Sequence, residues 1–159
     1  MLPEPQVDAV RYFTLSGAVS GAPAPDGVMV RPVRLAGHLR NRSMAVRVSE
    51  NEVIYLDDVR WAEPLDEALT QVLRNRLRQV GGGASVTVQV QRCELVRSDG
   101  NSVQLAATYT VTPAGGEARP GEFTATRRTR GGNDAGELVG LMRAAADELA
   151  EAIAAAAGK

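Results

Sequence analysis

The most constraining feature of the sequence is a change of hydrophobic period between residues 53 and 77. VIYLD, residues 53–57, has the composition of a strand. Apolar residues then recur at the three- and four-residue spacing of a helix, at Leu65, Leu69, Val72, Leu73 and Leu77. Pro64 stands where a first helical turn tolerates proline, and Gly81-Gly82-Gly83 ends the pattern. The segment therefore predicts a strand that passes directly into a helix.

Alternating apolar residues predict further strands on both sides of this helix. The strand candidates are residues 11–16, 28–36, 44–49, 53–57, 86–96, 102–112 and 122–130. Pro32 indicates a strand edge or bulge within 28–36, and the alternation slips near Gln91 and Arg92, which indicates a second bulge. GHLRNR, residues 37–42, is a polar connection with room for one helical turn, and Asp99-Gly100 indicates a tight turn.

A second helix is predicted at the C-terminal end, from Asp134 to about Ala157. Asp134 is an N-cap candidate, with Glu137 three residues on as in a capping box. The order of elements, with short turns between successive strands, predicts an α+β fold. In it a mostly antiparallel or mixed sheet carries both helices on one face. We expect residues 11–157 to form one domain and residues 1–10 a flexible tail.

Composition excludes several classes of protein. The chain has 159 residues and a formal net charge of -1, which argues against a nucleic-acid protein. No apolar run approaches the ~20 residues that span a bilayer, and residues 1–10 lack the apolar core of a signal peptide. The one cysteine, Cys93, forms no internal disulfide, which suits either the cytosol or an exported domain.

Candidate catalytic residues are few. His38 is the one histidine, and we interpret it as a surface or half-buried side chain. A dyad with Cys93 is disfavoured because Cys93 lies on an apolar strand face, where cysteine behaves as a small hydrophobe. Two Cys or His side chains are too few for a structural zinc site. We therefore expect no catalytic residue, no metal and no cofactor.

Three other motifs have structural interpretations. Gly81-Gly82-Gly83 follows a helix, whereas a phosphate-binding loop precedes one, so a helix stop is favoured. Asp57 and Asp58 could bind a cation, but a salt bridge to Arg60 or a cap is favoured. RRTRGG, residues 127–132, is typical of a solvated strand face rather than a nucleic-acid segment.

Arg60-Trp61, followed by Pro64-Leu65, is the candidate structural or partner-contact motif. We assign neither residue a catalytic role. We expect Trp61 to lay its indole over the first turn of the helix and to close the end of the core. A partner-facing role is the alternative, since Trp and Arg are enriched in interface hot spots.

Several segments together resemble a known family, the ABC-type transport auxiliary lipoproteins. These are PqiC-like periplasmic subunits that accompany MCE-type lipid transporters. The resemblance covers roughly residues 11–155 and rests on Tyr12–Leu15, LRNRSMAVR (39–47) and RWAEPL (60–65), with VQRCE (90–94) and QLAATYTV (104–111) as paired strands. It departs from the family at residues 36–38, which read Ala-Gly-His, and at Cys93. The lipid-bearing N-terminal cysteine is absent.

The resemblance implies a non-enzymatic role. Such a protein would lie in the periplasm, tethered to the outer membrane by a lipid anchor. For this chain the resemblance implies either that the lipid-bearing cysteine is encoded upstream of this sequence or that this member is not lipidated. It would contact an MCE-type protein during lipid transport and would form a homo-oligomer. The alternative is a soluble cytosolic ligand-binding or enzymatic α+β domain. That alternative requires a pocket in which residues such as Asp57, Asp58, Arg60 and His38 converge.

Overall fold

A computed structural model describes residues 9–17, 21–97, 101–129 and 134–158. Within them the elements are β1 Arg11–Phe13, β2 Met29–Val30, β3 Arg34–Leu35, a 3₁₀ turn Gly37–Arg40, β4 Ser43–Ser49, β5 Glu52–Trp61, α1 Leu65–Leu77, β6 Ser85–Val96, β7 Ser102–Thr112, β8 Arg119–Arg128 and α2 Ala135–Ala157. Of the flexible tail predicted for residues 1–10, residues 1–8 lie outside the described residues. Residues 98–100 of the predicted turn lie outside them as well.

The strands form one mixed sheet in the order β1-β5-β4-β6-β7-β8. β4 pairs with β5, β6 with β7 and β7 with β8 in antiparallel fashion, as the short turns predict. β1 pairs with β5 in parallel, and β2, β3 and β4 each pair in parallel with β6. The predicted α+β fold with a mixed sheet is confirmed.

The predicted strand 28–36 is broken in two at Pro32. Val30 lies opposite Val86, whereas Leu35 lies opposite Val90, so β2 and β3 have one residue more than β6 between these points. Proline cannot donate a hydrogen bond to the neighbouring strand, which explains the break. The single continuous strand was therefore wrong, although the irregularity at Pro32 was predicted.

The predicted bulge in β6 is confirmed. The register with β7 shifts between Val90 and Arg92. Because one extra residue reverses the alternation, Val90 and Cys93 both face the core despite their odd spacing. The same shift places Glu94 on the face opposite to Cys93. The last predicted strand begins at Arg119, three residues earlier than the sequence pattern indicates.

The two helices pack beside each other, and α2 lies against β6, β7 and β8. α2 begins where predicted, since the Asp134 side chain accepts a hydrogen bond from the N–H of Glu137. An ion pair joins the helices, with Arg76 Nε 2.9 Å from Asp147 Oδ1. The buried core contains aliphatic side chains from both helices and the sheet, together with Trp61.

Candidate functional site

Trp61 is the last residue of β5, and its side chain lies in the core with 2% of its surface exposed. Its backbone N–H donates to the carbonyl of Arg42 at 2.8 Å, and the next N–H, that of Ala62, donates to the carbonyl of Phe13 at 2.8 Å. Strands on both sides therefore hold this end of β5. An indole buries on the order of 200 Å² of surface. The contribution of that burial to stability stays a prediction.

Pro64 and Leu65 begin α1 directly after this point. Pro64 is the N-cap residue with a φ of -54°, and its carbonyl accepts the N–H of Ala68 at 3.0 Å. A proline costs nothing there, because the first N–H groups of a helix have no helical partner. Leu65 is buried. The hydroxyl of Thr70 accepts the N–H of Val33 at 2.9 Å, which ties α1 to the segment between β2 and β3.

Arg60 is half-buried, and its Nε has no hydrogen-bond partner among the described residues. The predicted salt bridge between Arg60 and Asp57 or Asp58 is wrong. Neither carboxylate makes an ion pair with any of the described residues. Ala45 lies opposite Tyr55 and Ser43 opposite Arg60, so a single residue of β4 faces residues 56–59 of β5. Such a bulge changes the direction of the side chains. This explains why Asp57 and Asp58, although close to Arg60 in sequence, do not pair with it.

A groove of about 510 Å³ lies beside this motif. Trp61, Pro64 and Leu65 contribute to its wall, whereas Arg60 does not line it. Its charged lining residues are Arg34, Arg40, Arg42, Glu63 and Asp66. Glu63 accepts a hydrogen bond from the Ser16 hydroxyl at 2.7 Å. Because Trp61 is nearly inaccessible, the groove offers arginines and carboxylates to a partner rather than an exposed aromatic ring.

A buried ionic cluster centred on Glu94 was missed at the level of sequence. Glu94 is fully buried, and its two oxygens lie 2.5 Å from Arg47 Nε and 2.9 Å from His38 Nε2. The carbonyl of His38 accepts the Tyr55 hydroxyl at 2.7 Å, and Arg47 also donates to the carbonyl of Glu50. A buried carboxylate needs such partners, because burying an isolated charge is costly. A charged residue within an apolar strand is the signal that could have indicated it.

His38 and Cys93 do not form a dyad. His38 is half-buried, as predicted, and its Nε2 is bound to Glu94. Cys93 is 1% exposed and points to the opposite face of β6 from Glu94. Burial, assisted by the charge of Glu94, raises the pKa of the Cys93 thiol to about 12. The thiol is therefore protonated near neutral pH and is a poor nucleophile.

The remaining motifs have structural roles where they are described. The glycine triplet follows α1, with Gly82 and Gly83 at φ values of 106° and 67°, and the N–H of Gly82 donates to Asp26. Such φ values favour glycine in a turn. α1 ends at Leu77 with Arg78 as its C-cap, so the glycines lie in the turn that follows the helix and do not themselves end it. Within RRTRGG, Arg127 pairs with Glu148 of α2 and Arg128 is exposed, whereas residues 130–132 lie outside the described residues.

Two further properties of the described residues concern metals and membranes. No group of three or more His, Cys, Asp or Glu side chains in these residues is arranged to hold a metal ion. Neither α1 nor α2, as described, is long and apolar enough to cross a membrane.

The architecture defines a class of two-helix, mixed-sheet α+β proteins that solved structures share. The crystal structure of an uncharacterized protein superposes with a TM-score of 0.72 at 17% identity, covering 90% of this chain and 95% of that one. A DUF330 protein from Xanthomonas campestris gives a TM-score of 0.71 at 14% identity, covering 90% and 92%. At such low identities these likenesses concern the fold alone.

The family follows from sequence. The family model of the ABC-type transport auxiliary lipoprotein component matches residues 13–154, so the chain belongs to this family. No curated protein matches the chain in sequence. Family membership confirms the resemblance seen in the RWAEPL segment and its neighbours.

Proposed function

We propose that this protein is a non-enzymatic auxiliary subunit of an ABC/MCE-type lipid transport system that supports the integrity of the cell envelope. The observation that carries the proposal is the family match, which spans residues 13–154 and so includes nearly the whole sheet and both helices. An auxiliary subunit acts through contacts with its partners, and the proposed partner is an MCE-type protein. The groove beside Trp61 offers charged groups of both signs for such a contact.

We place the protein in the periplasm, tethered to the outer membrane through a lipidated cysteine. Cys93 cannot be that anchor, because it is buried in the middle of β6. We propose that the anchoring cysteine is encoded upstream of residue 1. Reading the upstream codons and labelling cells with radioactive palmitate test this. A labelled protein in the outer-membrane fraction is expected; an unlabelled cytosolic protein would contradict the tether.

A non-enzymatic role agrees with where the alternative's candidate residues lie. A ligand-binding or catalytic site would need His38, Asp57, Asp58 and Arg60 to converge on one pocket. His38 is instead bound to the buried Glu94, and Asp58 lines a separate cavity of about 300 Å³ near the start of α2. We propose that the protein needs no cofactor and carries out no reaction.

The experiment that tests the proposal is recovery of the partner from envelopes. In cells expressing the tagged protein, a photo-cross-linking amino acid replaces the exposed Asn41 on the rim of the groove. We expect an MCE-type protein to be the main cross-linked product. The same cross-linker at exposed Gln71 on α1 is the matched control, since Gln71 does not line this groove. Recovery of cytosolic proteins alone from both positions would contradict the proposed function.

A further inference from the structure

A cavity of about 550 Å³ lies where the broken strand β2–β3 joins the sheet beside β6 and β7. Its volume is in the range of small-molecule sites, roughly 300–1,000 Å³. Two of the residues that line it are arginines, Arg31 and Arg34, and none of the described lining residues is Asp or Glu. The cavity is therefore positively charged, although the chain as a whole has a net charge of -1.

The break at Pro32 brings the two arginines onto one face of the sheet. In an unbroken strand Arg31 and Arg34 would lie on opposite faces, because side chains alternate along a strand. Between Val30 and Leu35, however, the chain has one residue more than the part of β6 that it faces. Val30 and Leu35 are both buried in the core. The arginine next to each of them therefore lies on the face away from the core.

Both arginines are exposed, and neither guanidinium group makes a hydrogen bond or ion pair with any of the described residues. Arg34 also lines the groove beside Trp61, but Glu63 and Asp66 in that groove make no ion pair with it. A guanidinium group is planar and binds phosphate or carboxylate oxygens through two parallel hydrogen bonds. The cavity therefore presents two such groups that no described side chain occupies.

β6 and β7 add uncharged polar side chains to the same cavity. In the register of the sheet Gln89 lies opposite Arg34, and Thr108 lies opposite Gln89. Neighbouring strands are about 4.8 Å apart, so this row of three residues spans about 10 Å. Thr87 and Thr110, which lie opposite each other, form a second row two residues away. All four uncharged residues line the cavity, which thus has hydrogen-bonding groups beside its positive charges.

The hydroxyl of Thr108 is arranged as a hydrogen-bond donor. Its oxygen accepts a hydrogen bond from Nε2 of Gln91 at 3.0 Å. A hydroxyl group has one proton to donate and two lone pairs that accept. One lone pair is used by Gln91, and no described group accepts the proton, so the O–H of Thr108 is available to an acceptor in the cavity. Such an acceptor beside two arginines is an anion that carries several oxygens.

We propose that this cavity binds the phosphate group of an organic phosphate ester, with Arg31 and Arg34 on its oxygens and the Thr108 hydroxyl as an uncharged third donor. A phosphate group offers more acceptor oxygens than a carboxylate and up to two negative charges, which match the two arginines. Met29 lies on the same face as Arg31 and is 60% exposed, so it offers an apolar contact to the carbon part of the ester. The site does not depend on the proposed function.

Titration of the isotope-labelled protein with glycerol phosphate, followed by the backbone N–H signals in nuclear magnetic resonance, tests the site. We expect saturable shifts at the residues around the cavity. Arg31→Gln/Arg34→Gln is expected to weaken binding at least about tenfold, because it removes hydrogen bonds from charged donors. Arg97→Gln/Arg128→Gln is the matched control. It removes two exposed arginines that do not line the cavity and is expected to leave the affinity unchanged.

A second pair of variants separates directed recognition from general attraction to positive charge. Thr108→Val keeps the shape of the side chain and the net charge but removes the hydroxyl, and is expected to weaken binding about two- to tenfold. Thr108→Ser keeps the hydroxyl and is expected to bind as the wild type does. Circular dichroism checks that each variant is folded. If the arginine double variant unfolds, the comparison of Thr108→Val with Thr108→Ser still decides the question.

A soluble ester and the headgroup of a phospholipid carry the same phosphate chemistry, and co-sedimentation with phosphatidylglycerol vesicles distinguishes them. Vesicle binding that both Arg31→Gln/Arg34→Gln and Thr108→Val weaken identifies a lipid headgroup as the ligand. Binding of glycerol phosphate without vesicle binding identifies a soluble ester. The inference is overturned if neither probe binds, or if acetate binds as tightly as glycerol phosphate. It is also overturned if the folded arginine double variant binds as the wild type does.

Discussion

The backbone N–H of Trp61 donates a hydrogen bond of 2.8 Å to the carbonyl of Arg42, which joins the end of β5 to the residue preceding β4. One side of this link is a buried indole and the other is an exposed arginine on the rim of a groove. The same few residues therefore support the core and present charge to solvent. The motif therefore belongs both to the core and to the wall of the groove at which we propose that a partner binds.

Trp61→Ala is expected to lower the free energy of unfolding by roughly 3–5 kcal/mol, because it removes a large buried ring and leaves a cavity. Urea unfolding followed by circular dichroism measures this. Tyr12→Ala is the control, since that ring is 51% exposed, and we expect it to have little effect on stability. Unchanged stability of Trp61→Ala with weakened partner binding would favour the partner-contact interpretation instead.

Arg47→Met is expected to destabilise the protein by about 3–5 kcal/mol, because it removes the main partner of the buried Glu94 carboxylate. The double variant Arg47→Met/Glu94→Gln is expected to recover part of that loss, since it removes the unpaired charge. Thermal and urea unfolding of the four proteins in this cycle give the coupling between the two residues. Additive effects of the two substitutions would show that the pair is not coupled.

Cys93 makes stability depend on alkaline pH. The thiol pKa is raised from 9.0 to about 12 in the folded protein, so between these values the unfolded chain loses a proton that the folded chain keeps. The contribution of the protonated Cys93 thiol to the free energy of unfolding is therefore fully present below pH 9.0. It is lost as the pH rises toward about 12. The difference in unfolding free energy between wild type and Cys93→Ala is expected to shrink over this range. A difference independent of pH would contradict a buried, protonated thiol.

Asp147 makes the contact between α1 and α2 sensitive to acid. Burial alone would raise its pKa, but the hydrogen bond from Arg76 and the charges of Arg143 and Arg76 outweigh burial and lower the pKa below 3.8. A lowered folded-state pKa gives stability that is present above 3.8 and is lost as pH falls through the folded value. Asp147→Asn is expected to cost about 1 kcal/mol at neutral pH, since the ion pair is partly exposed.

Urea unfolding of wild type and Asp147→Asn across acidic pH checks this expectation. The two proteins are expected to converge in stability as the carboxylate becomes protonated. Asp26→Asn serves as the matched control, because Asp26 accepts a backbone N–H in a surface turn and does not join the helices. Curves for Asp147→Asn and wild type that stay parallel at all pH values would contradict a role for the Asp147 charge.

Local features of the fold could be predicted from the sequence, whereas long-range ones could not. The bulge after Val90 and the Asp134 cap follow from patterns within a few residues. The parallel pairing of Arg11–Phe13 with Val59–Trp61 joins segments almost fifty residues apart, and no local pattern specifies it. Turn lengths favour antiparallel neighbours, so they do not indicate that β6 also receives parallel strands.

The candidate site was predictable in the same partial way. The burial of Leu65 follows from helical spacing, and proline at residue 64 marks the beginning of α1. The groove needs Arg34 and Arg40 from one part of the chain beside Glu63 from another, which only the three-dimensional fold shows. The Glu94 cluster likewise depends on β4 and the 3₁₀ turn meeting β6. The sequence pattern predicts which face of a helix or strand is apolar. Tertiary packing decides which of these faces come into contact.

The proposed role as an auxiliary subunit is tested by a binding titration. The titration uses this protein and the purified soluble domain of the MCE-type protein from the same cell. Isothermal titration calorimetry at concentrations up to about 100 µM covers the affinities expected of transient subunits. We expect saturable binding with a fixed ratio of subunits, and no turnover of any added lipid. An absence of binding over the whole concentration range, together with chemical conversion of a substrate, would contradict it.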